Sequence, residues 1–308
     1  MSSVAKSFQQ RIFSWLWRRA WFRREFYNAL ALLFRRKTNW RMMNCGFLPA
    51  TPLITQPAYT ADERHSYELY AQLVAGTPLA GRHILELGAG RGGGARFLVE
   101  TCAPARLVAL DYAPGSVRWC RRNPGAPGLE FVLGDAANPS FPDASFDVIV
   151  AVEVTHCLAD KSRFLASAAR LLCPGGRLLV ADFFYRRADA MHSLEKFEAA
   201  CATAAFHLIA ADDWTPGVIA AIEADSDRRT AEICASVPLF LQATALGFIS
   251  TTSSSTYIAL REGRTVYRRF VLERREVVTE RTESQSEFTG RDSEVARPSP
   301  RGAGLRFR

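Results

Sequence analysis

The chain has 308 residues, 48% of them apolar and 23% charged, which is enough to bury a sizeable core and ordinary for a soluble globular protein. Seven cysteines without a C-x-x-C pair or paired histidines argue against a zinc site or a disulfide framework and fit a reducing compartment, while no apolar run nears the ~20 residues needed to cross a bilayer. The net charge of +8 sits at one end, because ten Lys/Arg against Glu25 alone give residues 1–42 a charge of +9 and leave the remainder near neutral.

In chain order, residues 8–34 contain no Gly or Pro and place Ile12, Trp15, Phe22, Phe26, Leu30 and Leu33 on one helical face. Arginines at 18, 19, 23 and 24 interrupt every apolar run, so no secretory h-region is expected there. Two readings of this basic segment stay open: a helix laid on the following domain with its arginines solvated, or a basic–aromatic surface at 8–37 for an anionic membrane or a lipid. Its Arg-rich, acid-poor character also matches a transit peptide; no nucleic-acid module accompanies it, and no nucleic-acid partner is expected. A loop-rich connection at 43–63 follows, broken by Gly46, Pro49, Pro52 and Pro57.

Helix 66–75 then leads into strands at 82–87, 105–110, 129–133, 146–152 and 177–181, with helices at 95–100, 114–122 and 162–172 between them. The run 146–152 is continuously apolar apart from Asp147, as expected of a strand buried on both faces, and Pro174-Gly175-Gly176 is expected to stop the helix before the fifth strand. A helix at 188–205, a strand at 206–211, helices at 218–223 and 228–245 and a last strand at 265–272 complete the pattern. The alternation predicts an α/β fold: a doubly wound, mainly parallel, seven-stranded Rossmann-like sheet, its last strand inserted between the fifth and sixth. Residues 64–275 form this domain with a helical cap at 214–263. The charged, Ser-rich stretch 276–308 is expected to be a disordered tail.

The organising stretch is Leu85-Glu86-Leu87 followed by Gly88-Ala89-Gly90-Arg91-Gly92-Gly93-Gly94, a strand–loop–helix unit in which glycine permits close backbone approach to a ligand. Ligands of such sheets bind beyond the carboxyl ends of the strands, and those ends carry Glu86, Asp111, Asp135, Glu153 and Asp182. Five strands each delivering a carboxylate to one edge are hard to explain as core packing.

Together with Gly134-Asp135-Ala136, these features resemble the class I S-adenosylmethionine-dependent methyltransferases. Residues 83–183 are similar to the bacterial phthiotriolone-type lipid and natural-product methyltransferases. That similarity rests on the Gly-Gly-Gly loop, on Pro127-Gly128-Leu129-Glu130-Phe131-Val132, on Ser145-Phe146-Asp147-Val148, on Glu153-Val154-Thr155-His156-Cys157 and on Pro174-Gly175-Gly176. It extends over roughly 64–272, where Asp213-x-Thr215-Pro216-x-Val218 and the late Tyr257…Tyr267…Phe270 spacing are also similar, and departs from the family ahead of that span, where the usual Asn-Tyr-Gly-Tyr-like stretch is represented only by Asn44-Cys45-Gly46-Phe47.

The resemblance implies S-adenosyl-L-methionine as cofactor and no metal. Asp111 would accept the ribose hydroxyls, Asp135 with Ala136 would meet the adenine, Glu86 would orient the amino end, and Gly88, Gly90 and Gly92 would allow close approach. His156 and Glu153 are the candidate general bases, with Asp182 and Trp214 shaping the substrate pocket. The function this implies is methylation of a small apolar natural product or lipid at a hydroxyl oxygen. C-methylation of an isoprenoid or aromatic carbon and a non-catalytic lipid-surface or assembly protein are the alternatives. The expected location is cytoplasmic, with peripheral membrane contact as its variant.

Overall fold

The computed structural model describes residues 19–33, 41–56, 59, 62–123 and 125–276. The tail expected after 276, residues 1–18 and 34–40 of the basic segment, and with them Ile12 and Trp15 of its apolar stripe, lie outside the described residues. Seven strands form one sheet: β1 (His83–Leu87), β2 (Arg106–Asp111), β3 (Leu129–Leu133), β4 (Phe146–Val152), β5 (Leu172–Tyr185), β6 (Phe206–Asp213) and β7 (Thr265–Arg274). Their order is β3-β2-β1-β4-β5-β7-β6, parallel throughout except for β7, which pairs antiparallel to both β5 and β6. This is the doubly wound sheet expected from the sequence, with the last strand between the fifth and sixth.

Strand alternation divides the core in two. Ile84, Val148, Val150, Leu179 and Tyr267 face one layer, while Leu85, Leu87, Ile149, Ala151, Val180 and Phe270 face the other. Each fully buried aliphatic side chain contributes about 1.5–3 kcal/mol. The first layer is covered by α2 (Arg64–Val74) and α3 (Gly93–Cys102), the second by α5 (Lys161–Leu171) and α6 (Leu194–Thr203). Because Glu86 alternates with Leu85 and Leu87, it falls on the α2 side, and this is what places a carboxylate under Tyr70.

Three local expectations change. Pro174-Gly175-Gly176 does not stand between helix and strand; α5 runs directly into β5, and these residues form a bulge. Phe146 pairs with Leu172 and Val148 with Arg177, so the surplus residues loop out, helped by Gly175 at φ +72°. The helix expected from 188 begins only at Leu194, where the Ser193 hydroxyl caps it by accepting from Lys196 N at 3.2 Å. The two helices expected at 218–223 and 228–245 are instead one helix, α7 (Thr215–Ser236), followed by α8 (Leu239–Phe248) and α9 (Ser255–Arg261). The polar turn at 224–227 stays helical because its side chains find tertiary partners. Asp225 accepts from His65 Nδ1 at 3.1 Å and Ser226 meets Thr252 at 2.9 Å. The break falls at Pro238, whose missing N–H cannot continue the ladder.

The described part of the basic segment, α1 (Ala20–Leu33), lies against α4 (Pro114–Arg122). Asn28 Oδ1 accepts from Gly115 N at 2.9 Å, satisfying one of the open N–H groups of that helix start. Arg24 lies over the Tyr112 ring, Phe22 and Phe26 are half-buried, and Trp21 is 59% exposed. Among the described residues no helix is long and apolar enough to cross a membrane.

Candidate active site

The loop after β1 turns on left-handed glycines, Gly88 at φ +75° and Gly90 at φ +55°. A Cβ on Gly88 would stand 2.6 Å from Val154 Cγ2, so that position tolerates no side chain. Asp111, at the end of β2, closes the loop: its Oδ2 accepts from Gly90 N at 2.7 Å and its Oδ1 from Ala113 N at 2.8 Å. One bond per oxygen leaves a carboxylate further acceptor capacity. Glu86 is fully buried and accepts from the Tyr70 hydroxyl at 2.7 Å through Oε1, whereas Oε2 has no hydrogen-bond partner among the described residues. Burial pushes Glu86 up to about 7 and Asp111 up to about 6. This part of the edge therefore offers a cationic group an unsatisfied buried carboxylate oxygen, and offers hydroxyls a second carboxylate with spare acceptor sites. Asp135 is exposed and accepts from Ala137 N at 2.9 Å; Ala136 beside it is buried.

Beyond β4 and β5 the arrangement differs. The short helical turn Thr155–Cys157 lays His156 against Asp182, with His156 Nδ1 3.0 Å from Asp182 Oδ1. An ionised carboxylate only accepts, so Nδ1 is the donor and Nε2 the remaining ring nitrogen. Asp182 also accepts from the Thr155 hydroxyl at 2.7 Å, from His156 N at 3.1 Å and from Phe183 N at 2.8 Å. Burial would raise Asp182, but the charge and hydrogen bond of His156 outweigh it and hold the acid at about 2. Burial works against a charged His156, yet Cys157 and Asp182 outweigh that in turn, and its pKa stands well above the ordinary value. The His156 ring stacks on Phe183 at 4.3 Å.

Glu153 sits at φ +50°, a backbone strain for a non-glycine residue, and its Oε1 accepts from Cys45 N at 2.8 Å and from the Tyr267 hydroxyl at 3.0 Å. Its pKa is raised, by burial above all.

The two residues expected to shape the substrate pocket both lie inside the fold. Asp182 is fully buried and its carboxylate accepts four hydrogen bonds from residues 155, 156 and 183, which leaves it little acceptor capacity for a substrate. Trp214 is also buried, stacked on Phe47 at 4.4 Å, and belongs to the core beneath the cap.

Two site residues carried little sign of their contacts: Tyr70 stands in the helix expected at 66–75, and Tyr267 in the late Tyr257…Tyr267…Phe270 spacing similar to the methyltransferase family, neither pointing to a carboxylate partner. Segment 41–47 lies over the glycine loop: Gly93 would meet Met42 Sδ at 2.4 Å and Gly90 would meet Met43 Sδ at 3.2 Å if either bore a Cβ. Glu63 holds this strap by accepting from Arg41 N at 2.9 Å and Met42 N at 2.8 Å, and buried Arg229 of α7 donates to Asn44 O and Cys45 O. The Asn44-Cys45-Gly46-Phe47 stretch was the one available pointer to it. Among the described residues, no group of three or more His, Cys, Asp or Glu is arranged to hold a metal ion.

Comparison with known proteins bears on this geometry. Residues 85–180 match the model of a methyltransferase domain. A phthiotriol/phenolphthiotriol dimycocerosates methyltransferase of Mycobacterium leprae is 31% identical over 221 residues, 71% of this chain and 80% of that protein. A fatty-acid O-methyltransferase of Mycolicibacterium smegmatis is 32% identical over 216 residues, 70% of this chain and 76% of its own length. Solved structures with the same fold include the cyclase SpnF, with a TM-score of 0.64 and 15% identity over 82% of this chain and 94% of that one. Another is the geranyl diphosphate C-methyltransferase of Streptomyces coelicolor A3(2), with a TM-score of 0.59 and 15% identity over 82% and 96% of the two chains. The fold alone does not decide the chemistry, since a cyclase shares it; the sequence relationship does, and the chain belongs to the phthiotriol-type family of class I S-adenosylmethionine-dependent methyltransferases.

Proposed function

We propose that the protein methylates a hydroxyl oxygen of a lipid or similarly apolar natural product. The observation that supports this reading is that one sheet edge bears Glu86 and Asp111 beside the glycine loop and, further along, His156 hydrogen-bonded to Asp182, the residues this reading needs to hold the cofactor and to take a proton. The lipid part is supported by relatives whose names specify phthiotriol dimycocerosates and fatty acids as acceptors. S-adenosylmethionine supplies an electrophilic methyl group when bound. Glu86 Oε2 would meet its cationic amino group, Asp111 its ribose hydroxyls and Asp135 with Ala136 its adenine, while Gly88, Gly90 and Gly92 would allow close backbone approach. His156 takes the hydroxyl proton at Nε2, with Asp182 fixing the ring and stabilising the imidazolium that forms. Glu153 faces the acceptor as a hydrogen-bonding carboxylate.

Labelled S-adenosylmethionine supplied with a long-chain secondary alcohol, a long-chain fatty acid or a prenyl diphosphate tests this. A labelled ether from the alcohol is expected. Label in a methyl ester alone would move the acceptor to a carboxylate, which needs no base.

A second reading, C-methylation of an isoprenoid or aromatic carbon, is favoured by one observation, the strained and doubly hydrogen-bonded Glu153. There Glu153 removes the proton that restores the double bond after methyl addition. A carbon-bound methyl in the product, located by NMR, would select it.

Residues 8–37 are assigned a peripheral role at an anionic membrane, supported by nine Lys/Arg and four tryptophans between Arg11 and Arg41 and by the exposure of Trp21. Deleting 1–18, or 1–38, is expected to abolish sedimentation with phosphatidylglycerol vesicles and spare cofactor affinity. Unfolding of the longer deletion alone would assign α1 to the fold.

A further inference from the structure

The antiparallel pair β5–β7 serves both base candidates from neighbouring rungs. Asp182 pairs with Arg268 and Phe183 with Tyr267, so one rung delivers the acid that holds His156 and the next delivers the phenol that meets Glu153. The Tyr267 backbone is held on both sides: its N donates to the Thr215 hydroxyl at 2.9 Å, and its carbonyl accepts from Trp214 N at 2.9 Å. Its ring is completely buried, and its hydroxyl lies against a carboxylate although a core carbonyl would satisfy it as well. On the other side the Cys45 amide reaches the same oxygen, and Glu153 N is tied to Ala181 O at 2.8 Å.

We propose that Tyr267 is a positioning residue for methyl transfer: with the Cys45 amide it pins Oε1 of Glu153, fixing the strained side chain so that the remaining oxygen serves the acceptor. This rests on the reading that Glu153 faces the acceptor. Burial and the adjacent carboxylate hold the phenol far above its ordinary pKa, so it remains a donor at working pH. A donor to the carboxylate favours its charged form, and removing that donor must raise the Glu153 pKa.

The test follows the glutamate side-chain carboxyl carbons by 13C NMR during a pH titration of the full chain, with Glu153→Gln identifying the Glu153 signal. Tyr267→Phe is expected to move its midpoint upward by about one pH unit. Site-specific replacement of Tyr267 by a fluorinated, more acidic tyrosine should move it downward, which retains the test if the phenylalanine variant folds poorly. With the acceptor identified by the panel above, Tyr267→Phe should lower kcat about tenfold and leave S-adenosylhomocysteine affinity unchanged. An unmoved midpoint in both variants with normal S-adenosylhomocysteine affinity would overturn the proposal and leave Tyr267 as core filling. Full activity of Glu153→Gln would instead remove the role of Glu153, whatever Tyr267 does to its titration.

Discussion

The β1–β2 end of the sheet edge and the β4–β5–β7 end both present buried carboxylates, but in opposite conditions. Among the described residues one oxygen of Glu86 has no hydrogen-bond partner and Asp111 has one bond per oxygen, and burial raises the pKa of both. Asp182 is saturated by four donors and held at about 2, and Glu153 has one oxygen doubly engaged. The first end keeps acceptor capacity that the described residues leave unused. The second spends its carboxylates on orienting other groups. A carboxylate at a strand end is therefore not one kind of residue, and its unsatisfied capacity separates binding from positioning.

The largest effect should come from the positioning end. Replacing His156 by Ala is expected to cost about 10²–10⁴-fold in the methyl-transfer rate, read in single turnovers, with cofactor affinity little changed. The wild-type rate should rise with pH through the raised pKa of His156, because a base works only without its proton, and the variant should lack that limb. A rate within threefold of wild type would remove His156 as the base.

At the binding end, Asp111→Ala should weaken cofactor affinity by about 1.5–3 kcal/mol, tenfold or more, by calorimetry. Smaller than this is a pH effect. If the ligand's cation pairs with ionised Glu86, affinity should climb between pH 5 and 8 as the carboxylates at about 6 and 7 lose their protons, and Glu86→Gln should flatten the upper part of the rise. For the free protein the sign reverses. A carboxyl whose folded pKa is raised favours the fold below its unfolded value and loses that contribution as pH rises toward 7, so Glu86→Gln should gain stability relative to wild type from pH 5 to 8. The smallest effect is in the strap: Glu63→Gln keeps an oxygen able to accept from both Arg41 N and Met42 N but loses the second branch from Arg41 N at 3.2 Å, and should cost about 1 kcal/mol in thermal unfolding.

The two ends also differed in how much the sequence disclosed. Strands β1 to β5, the glycine loop, Glu86 and Asp111 were legible because alternation, glycine spacing and strand-end acids are local signals. The positioning end is assembled from residues 45, 153, 156, 182 and 267, and its decisive contacts have no local trace. A backbone donor such as Cys45 N leaves no mark in composition, and the Tyr257…Tyr267…Phe270 spacing does not say which carboxylate a tyrosine meets. Asp182 read as a pocket acid because the sequence gives its strand position but not the donors that consume it. The polar turn at 224–227 misled for the converse reason, since its partners His65 and Thr252 lie far away in the chain.

The division between a binding end and a positioning end is tested most directly by titrating S-adenosylhomocysteine into Asp111→Ala and His156→Ala side by side in the calorimeter. The account predicts at least a tenfold loss of affinity in the first and wild-type affinity in the second. Equal losses, or a loss confined to His156→Ala, would contradict it.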